Sequence, residues 1–275
     1  MKYTLMRFPG WKNKAVTLSY DDGTNHDKRL VEILNRYGLK CTFNLNAGHL
    51  GKPWYMSEED ALALLKDSSH EVAAHGYNHL SLAEVDSAAA VNDVIEDRKA
   101  LEKLFGRVIK GMAYANGSYD DKTVEILKQC GISYARTTVS TGNFNMSDDW
   151  LRMSATCHHK NPQLMELAKK FVEGEEPSYF WSKNPKLFYL WGHSFEFAND
   201  GNWEVIEEFA KYIGGREEIW YATNGEIYDY AKAFERLEFS VDGKYVYNPS
   251  AMDVFFMTLD GKKVCVKAGE RKEIE

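Results

Sequence analysis

The sequence has only four cysteines in 275 residues, and no two of them share the CxxC spacing of zinc knuckles and redox motifs. We therefore expect neither a disulfide framework nor a structural zinc knuckle. The net charge of -7 comes from residues scattered along the chain, without a basic patch. This distribution argues against nucleic acid and against an anionic membrane surface as partners. No obligate protein partner is expected either.

Long apolar runs are also missing from the sequence. No segment is long and apolar enough to span a membrane, and the first residues include no apolar core before a small-residue cleavage site. The expected location is therefore cytoplasmic, with a trimmed secreted protein as the alternative. Neither glycine-rich nucleotide-binding motif follows a predicted strand, and no GxSxG elbow occurs. Nucleotide binding and a serine nucleophile thus have no support.

The sequence alternates short β-rich runs with helical patterns. Between the β-rich runs, apolar residues recur at helical spacing and end before a glycine, as at Gly38, Gly106 and Gly131. This number of strand and helix repeats favours an α/β fold whose parallel strands form a closed barrel, over an open doubly wound sheet. The eight predicted strands are residues 15–20, 41–46, 71–75, 108–114, 133–138, 151–156, 186–193 and 218–223.

The pattern changes after about residue 235. The segments 237–250 and 253–269 each predict two strands, joined at Asp242-Gly243 and at Asp260-Gly261. These segments are too short for us to expect independent folding. We predict a barrel over residues 1–235 and a small antiparallel β appendage over residues 236–275 that packs on it.

Polar side chains gather at the ends of the predicted strands. Asp21 and Asp22 end the first strand, His75 and His79 follow the third, and His193 ends the seventh. In a barrel of parallel strands these positions meet at one end. One carboxylate and two histidines are a three-ligand set for a divalent ion, with a position left for water and substrate. The HxxxH spacing would let both imidazoles face one ion, as on one turn of helix.

Two adjacent aspartates near a metal ion could divide the work of hydrolysis. One would bind the metal, the other would take a proton from the activated water, and a histidine would protonate the leaving amine or alkoxide. Asp-Asp-Gly alone is common in turns, and HxxxH alone is also weak. Their combination at alternate strand ends favours the catalytic interpretation.

This order of motifs, followed by an aromatic and glycine-rich segment and an apolar strand ending in histidine, resembles the polysaccharide deacetylases of carbohydrate esterase family 4, the NodB-like hydrolases. The resemblance covers about residues 10–235. It implies a distorted (β/α)7 barrel, an acetylated carbohydrate as substrate, and one divalent metal ion, with zinc favoured over cobalt, manganese or nickel. The residues implied are Asp21 as the base, Asp22, His75 and His79 as metal ligands, and His193 as the general acid.

Three further residues are candidates for contact with the substrate or its oxyanion. The resemblance implies that the backbone N-H near Asn116 would help to hold the oxyanion, and Tyr114 lies in the same segment. Trp191 is the favoured residue for stacking on a sugar ring, because it comes two residues before His193.

The chain departs from the family pattern in its third motif, which usually carries an arginine that would pair with the base. The segment from Met112 to Tyr119 has no arginine. We predict that another strand supplies the donor, with Arg136 slightly favoured over Arg152, although both could instead form structural ion pairs.

The fifth motif also differs, because His193 is followed by Ser194 where the family has an aspartate. Asp149-Trp150 could match the fourth motif, which polarises the histidine in the family, but a solvated loop explains these residues equally well. A second metal site at Cys157-His158-His159 is not expected, since consecutive side chains in an extended segment point apart. These departures leave two other functions open: hydrolysis of a linear or cyclic amide that is not a sugar, and sugar binding without catalysis.

Overall fold

The computed structural model describes residues 4–175 and 183–274. The strands in these ranges are β1 Thr4–Arg7, β2 Lys14–Asp22, β3 Cys41–Leu45, β4 Glu71–Ala74, β5 Gly111–Ala113, β6 Tyr134–Ser140, β7 Met153–Ala155, β8 Cys157–His158, β9 Lys186–Gly192, β10 Ile219–Tyr221, β11 Glu238–Phe239, β12 Tyr245–Tyr247, β13 Val254–Thr258, β14 Lys263–Val266 and β15 Arg271–Glu273. The helices are α1 Asp27–Arg36, α2 Glu58–Leu65, α3 Ser87–Phe105, α4 Asp121–Gln129, α5 Leu164–Glu173, α6 Ser194–Asp200, α7 Glu204–Ile213 and α8 Asn224–Glu235.

The central sheet is parallel and has the order β7-β6-β5-β4-β3-β2-β9-β8. Its two end strands, β7 and β8, are separated in sequence only by Thr156. The N-H of Thr156 donates to the carbonyl of Tyr189 in β9, and its carbonyl accepts from the N-H of Gly142, just past β6. The stretch from β7 to β8 therefore joins the two ends of the sheet, which confirms the predicted closed barrel.

Strand β2 pairs with neighbouring strands along both of its edges. On one side β9 pairs with it from Lys14 to Tyr20. On the other side the short strand β10 pairs with its first residues, and β3 pairs from Leu18 onward. Because β2 has neighbouring strands on both edges, every one of its residues except Asp22 is buried.

Most of the predicted elements are present, and the differences lie at their ends. The strand predicted over residues 108–114 is shorter, and the one predicted over 151–156 begins with a turn of 3-10 helix at Trp150–Arg152. Helix α3 begins after Asp86, whose side chain accepts from the N-H of Ala89, and ends at Gly106 with a φ of 67°.

Two antiparallel sheets of three strands contain the C-terminal strands, with the orders β1-β13-β14 and β11-β12-β15. Both predicted turns occur, between β11 and β12 and between β13 and β14. The N-terminal strand β1 pairs with β13, so one of these sheets includes residues from the other side of the predicted boundary at residue 235. That boundary stays a prediction. No helix in the described part of the chain has the length and apolar character needed to cross a membrane.

Candidate active site

The two aspartates of the first motif lie at the carboxyl end of β2. Asp21 is 2% exposed, whereas Asp22 is half-buried. Asp22 has a φ of 81°, in the left-handed region, which costs a residue with a side chain roughly 1–2 kcal/mol. Gly23 also has a positive φ, and a Cβ on it would lie 2.9 Å from the Leu45 side chain. The chain therefore needs glycine here to leave the barrel directly after the aspartates.

The predicted metal ligands are close together. Asp22 Oδ1 lies 3.5 Å from His75 Nε2 and 3.5 Å from His79 Nε2. The His75 Nδ1 atom is 2.9 Å from the carbonyl oxygen of Ala113, so Nδ1 carries a proton and donates it. This hydrogen bond leaves the Nε2 lone pair directed at the Asp22 carboxylate, as expected for a metal-binding imidazole. The donor set fits a divalent ion.

A loop, not a helical turn, presents the two histidines, so the comparison with one turn of helix was wrong. Strand β4 ends at Ala74, and Gly76 and His79 have φ values of 84° and 58°. A Cβ on Gly76 would lie 2.4 Å from Asp93 Oδ2, which explains the glycine.

Helix α3 holds this loop through two aspartates that sequence reasoning missed. Asp97 accepts from the N-H of His75 at 2.9 Å and from that of Ala47 at 2.7 Å, and Asp93 accepts from the N-H of Asn78 at 2.7 Å. Burial raises the pKa of Asp97 to about 7. The available signal was the four-residue spacing of two acidic side chains on the same face of the helix as its apolar residues Ala90, Val94 and Leu101.

Asp21 is held by two donors. Asn44 Nδ2, on the paired position of β3, lies 2.8 Å from Asp21 Oδ1, and Arg136 Nη2 donates to Oδ2. Burial alone would raise the pKa of Asp21, but the charges of Arg136, His75 and His193 outweigh burial and lower it. The carboxylate is therefore kept ionised.

Arg136 confirms the prediction that another strand brings an arginine to Asp21. It lies on β6 and pairs in register with Ala113 of β5. Ala113 belongs to the third-motif segment that lacks the arginine. The alternative, Arg152, is not the donor, because it pairs at the surface with Asp149 at 2.7 Å and with Asp121. Asp149 also accepts from the N-H of Leu151, so its side chain caps the 3-10 turn at Trp150–Arg152.

His193 follows β9 and completes the group. Its Nε2 lies 3.9 Å from Asp21 Oδ2, and its Nδ1 lies 3.1 Å from Glu196 Oε2. Burial disfavours the charged imidazole, but the hydrogen bond with Glu196 and the charges of Asp21 and Asp22 outweigh burial, so the pKa of His193 is raised. Asp21 lies between His193 and His75, whose Nε2 is 4.0 Å from Oδ2.

The three residues predicted to contact substrate have different surroundings. The Tyr114 side chain is buried and its hydroxyl donates to the carbonyl of Leu151, and its contact with a substrate stays a prediction. Trp191 is only 8% exposed, because the Arg136 guanidinium lies 4.4 Å from its ring centre. The stacking of Trp191 on a sugar ring stays a prediction. Asn116 is exposed, and its Nδ2 donates to Ser81 at 3.1 Å. The oxyanion role of the backbone N-H there stays a prediction.

A second group of ligand-type side chains was not expected. His158 Nε2 and His159 Nε2 lie 3.2 and 3.4 Å from Glu196 Oε2. The two rings are 4.5 Å apart, because β8 ends at His158 and the chain turns at His159 and Lys160. The argument that these side chains point apart was wrong, since it assumed an extended segment.

The fold and the site define a parallel β-barrel protein with a candidate metal centre at the carboxyl ends of its strands. Residues 10–135 match the family model for polysaccharide deacetylase. A chitin deacetylase from Pestalotiopsis sp is 23% identical over 140 residues, which cover 50% of this chain and 46% of the relative. A structure from Mycobacterium smegmatis assigned to the polysaccharide deacetylases has a TM-score of 0.61 at 16% identity, covering 86% of this chain and 96% of its own. A family 4 carbohydrate esterase from Streptomyces lividans in complex with acetate has a TM-score of 0.53 at 14% identity, covering 76% of this chain and 92% of its own.

Residues 10–135, somewhat less than half of the chain, thus resemble the polysaccharide deacetylase family. The two solved structures share its fold. The matched segment spans about half the length of the chitin deacetylase.

Proposed function

We propose that this chain is a metal-dependent hydrolase that removes acetyl groups from an N-acetylated or O-acetylated carbohydrate. One observation carries the proposal: the Asp22, His75 and His79 ligand set lies beside Asp21, and His193 lies on the other side of Asp21. The family match at residues 10–135 and the name of the chitin deacetylase relative support the substrate class.

Zinc is the favoured ion because two imidazoles and one carboxylate are typical zinc ligands, and cobalt, manganese and nickel are the alternatives. A divalent ion at these residues would polarise the acetyl carbonyl and lower the pKa of a water molecule. Asp22 and the two histidines would hold it, and the hydrogen bond from His75 to Ala113 would keep that ring oriented.

The remaining residues of this chain handle the protons. Asp21, kept ionised by Arg136, accepts a proton from the attacking water. His193 donates a proton from Nε2 to the leaving amine or alkoxide as the bond to the acetyl group breaks. A backbone N-H near Asn116 stabilises the oxyanion. Acetate and the free amine or hydroxyl are the products.

The test measures acetate release from acetylated chitooligosaccharides and acetylated xylan, beside amine and ammonia release from small linear and cyclic amides. Zinc-loaded and chelated protein are compared, with Asp21→Asn as the inactive control. Acetate release that requires both metal and Asp21 supports the proposal. Turnover of the small amides alone would instead support a C-N hydrolase acting on a substrate that is not a sugar.

Sugar binding without catalysis is the remaining alternative. The missing arginine was its main argument, and the Arg136 contact with Asp21 removes that argument. Binding of the oligosaccharides without any turnover would favour it. A cytoplasmic location, and the expectation of no nucleic acid, membrane or obligate protein partner, stay predictions from the sequence.

A further inference from the structure

Glu196 lies at the centre of a group of histidines on the side of His193 that faces away from Asp21. Its Oε2 atom lies 3.1 Å from His193 Nδ1, 3.2 Å from His158 Nε2 and 3.4 Å from His159 Nε2. Its Oε1 atom lies 3.2 Å from Lys160 Nζ. These residues could either hold a second metal ion or form a hydrogen-bonded network.

The protonation of His158 decides between these two alternatives. The backbone N-H of Lys160 donates to His158 Nδ1 at 3.1 Å, so Nδ1 carries no proton. The neutral ring must then carry its proton on Nε2, the atom that faces Glu196. A metal ligand would need a bare Nε2, as in His75, where Nδ1 donates to a carbonyl. His158 therefore donates a hydrogen bond to the carboxylate.

His159 fills space beside this network. It is buried, and burial together with the nearby His158 lowers its pKa to about 3, so its ring is neutral. A Cβ at residue 192 would lie only 2.0 Å from His159 Nδ1. Gly192, which directly precedes His193, thus allows the ring to pack against β9.

The charge of Glu196 follows from its donors. Burial works against its ionised form, but the hydrogen bonds from His158 and His193 outweigh burial and hold the pKa of Glu196 well below its usual range. The carboxylate also accepts from the backbone N-H of His193 at 3.3 Å, at the start of α6. One ionised side chain thus contacts both the backbone and the ring of His193.

We propose that Glu196 is the positioning residue of His193: it fixes the proton on Nδ1 and directs Nε2 at Asp21 and the candidate metal centre, while His158 and Lys160 hold Glu196 in place. The residue after His193 is Ser194, which is not acidic. Glu196, three residues after His193, supplies the carboxylate contact instead. The catalytic consequence rests on the proposed function, whereas the position of the proton does not.

Two readouts test this proposal on zinc-loaded protein. Long-range proton-nitrogen NMR, assigned with a His193→Gln variant, reports which ring nitrogen of His193 carries the proton. We expect Nδ1 to carry it in the unaltered protein and the signal to change in Glu196→Gln. With the substrate found by the acetate assay, kcat of Glu196→Gln should fall about tenfold or more with little change in KM, and Glu196→Asp should recover part of the loss.

Asp200→Asn is the matched control, because Asp200 pairs with Lys160 at 2.8 Å, whereas Glu196 is the partner of His193 Nδ1. It should leave both readouts unchanged. A His193 ring that carries a proton on Nε2 and none on Nδ1 in the unaltered protein, or an unchanged NMR signal in Glu196→Gln, would overturn the proposal even if no substrate is found. A second tightly bound zinc ion per chain, lost in both Glu196→Gln and His158→Asn, would also overturn it, because the group would then be a metal site.

Discussion

Asp21 and Asp22 are adjacent in the chain, yet their surroundings differ in every respect that matters for catalysis. Asp21 is buried and accepts hydrogen bonds from Asn44 and Arg136, while Asp22 faces two imidazoles across 3.5 Å. The positive φ of Asp22 separates the directions of the two side chains. We therefore expect that substitutions at the two positions have different effects.

Asp21→Asn should retain the metal and lower turnover on the order of 10²-fold or more, because it removes the proton acceptor. Asp22→Asn should lose metal and activity together, because it removes one of three protein ligands. Metal content and steady-state rates measured on the same samples check this division. The opposite pattern, with metal lost only in Asp21→Asn, would reverse the two roles.

Arg136→Met should leave Asp21 buried with a single donor. Since Arg136 lowers the pKa of Asp21, its removal should raise that pKa and move the acidic limb of the rate profile to higher pH. Removing one partner of a buried ion pair also costs about 3–5 kcal/mol of stability. Rate profiles and urea unfolding measure the two effects, and Arg152→Met, at a surface pair, is the control that should change neither. An unshifted acidic limb would show that Arg136 does not set the pKa of the catalytic base.

At the scale of single elements, the end of one strand or helix often depends on a side chain from another. His70, just before β4, accepts from the N-H of Cys41 at 3.1 Å, and its Nε2 lies 3.1 Å from Asn35 Oδ1 in α1. Burial lowers the pKa of His70 to about 4. The neutral ring thus links the start of β3 to α1.

This depressed pKa predicts how stability depends on pH. Between pH 6.5, the ordinary value, and about 4, the unfolded chain binds a proton at His70 that the folded chain does not, so the free energy of unfolding should fall as pH falls. The contribution is at most about 3 kcal/mol. Urea unfolding at several pH values should give a shallower dependence for His70→Asn than for the unaltered protein. Equal slopes would show that His70 does not titrate in this way.

The elements near the site show what sequence can and cannot predict. The barrel and the grouping of Asp22, His75 and His79 were predictable because strand periodicity and residue type are local properties. The donor to Asp21 could be narrowed to two arginines, Arg136 and Arg152, because the arginine missing from the third motif had to be replaced from another strand. Glu196 was missed because its contacts depend on the turn at His159. The burial of Trp191 was not predictable because it depends on Arg136, which packs on its ring.

At the scale of the whole molecule, the sheet of β1, β13 and β14 is joined to helix α8 through Tyr230. Its buried hydroxyl donates to the carbonyl of Arg7 in β1 at 2.5 Å and accepts from the N-H of Phe255 in β13 at 2.9 Å. Strands β1 and β13 pair at these same two residues. We therefore expect the barrel and this sheet to unfold in one transition.

Tyr230→Phe should lower the free energy of unfolding by about 1–3 kcal/mol, because it leaves a buried carbonyl and a buried N-H without this partner. Unfolding followed by circular dichroism and by tryptophan fluorescence should give coincident curves. Tyr245→Phe, at an exposed ring of β12, is the control and should be close to neutral. Two separate transitions would instead support an independent unit after residue 235.

The pairing of β2 with β9 also has a consequence for the kinetics of folding. Tyr20 and Gly192 are paired, so most of the barrel sequence lies in the loop that this contact closes. Contacts between segments so distant in sequence form late, because the entropy of loop closure opposes them until the intervening strands are in place. Asp21 follows Tyr20 and His193 follows Gly192, so the proposed base and acid meet only when this last contact forms. In a refolding experiment, helical structure should return before activity. The delay between the two signals would measure how long the barrel takes to close.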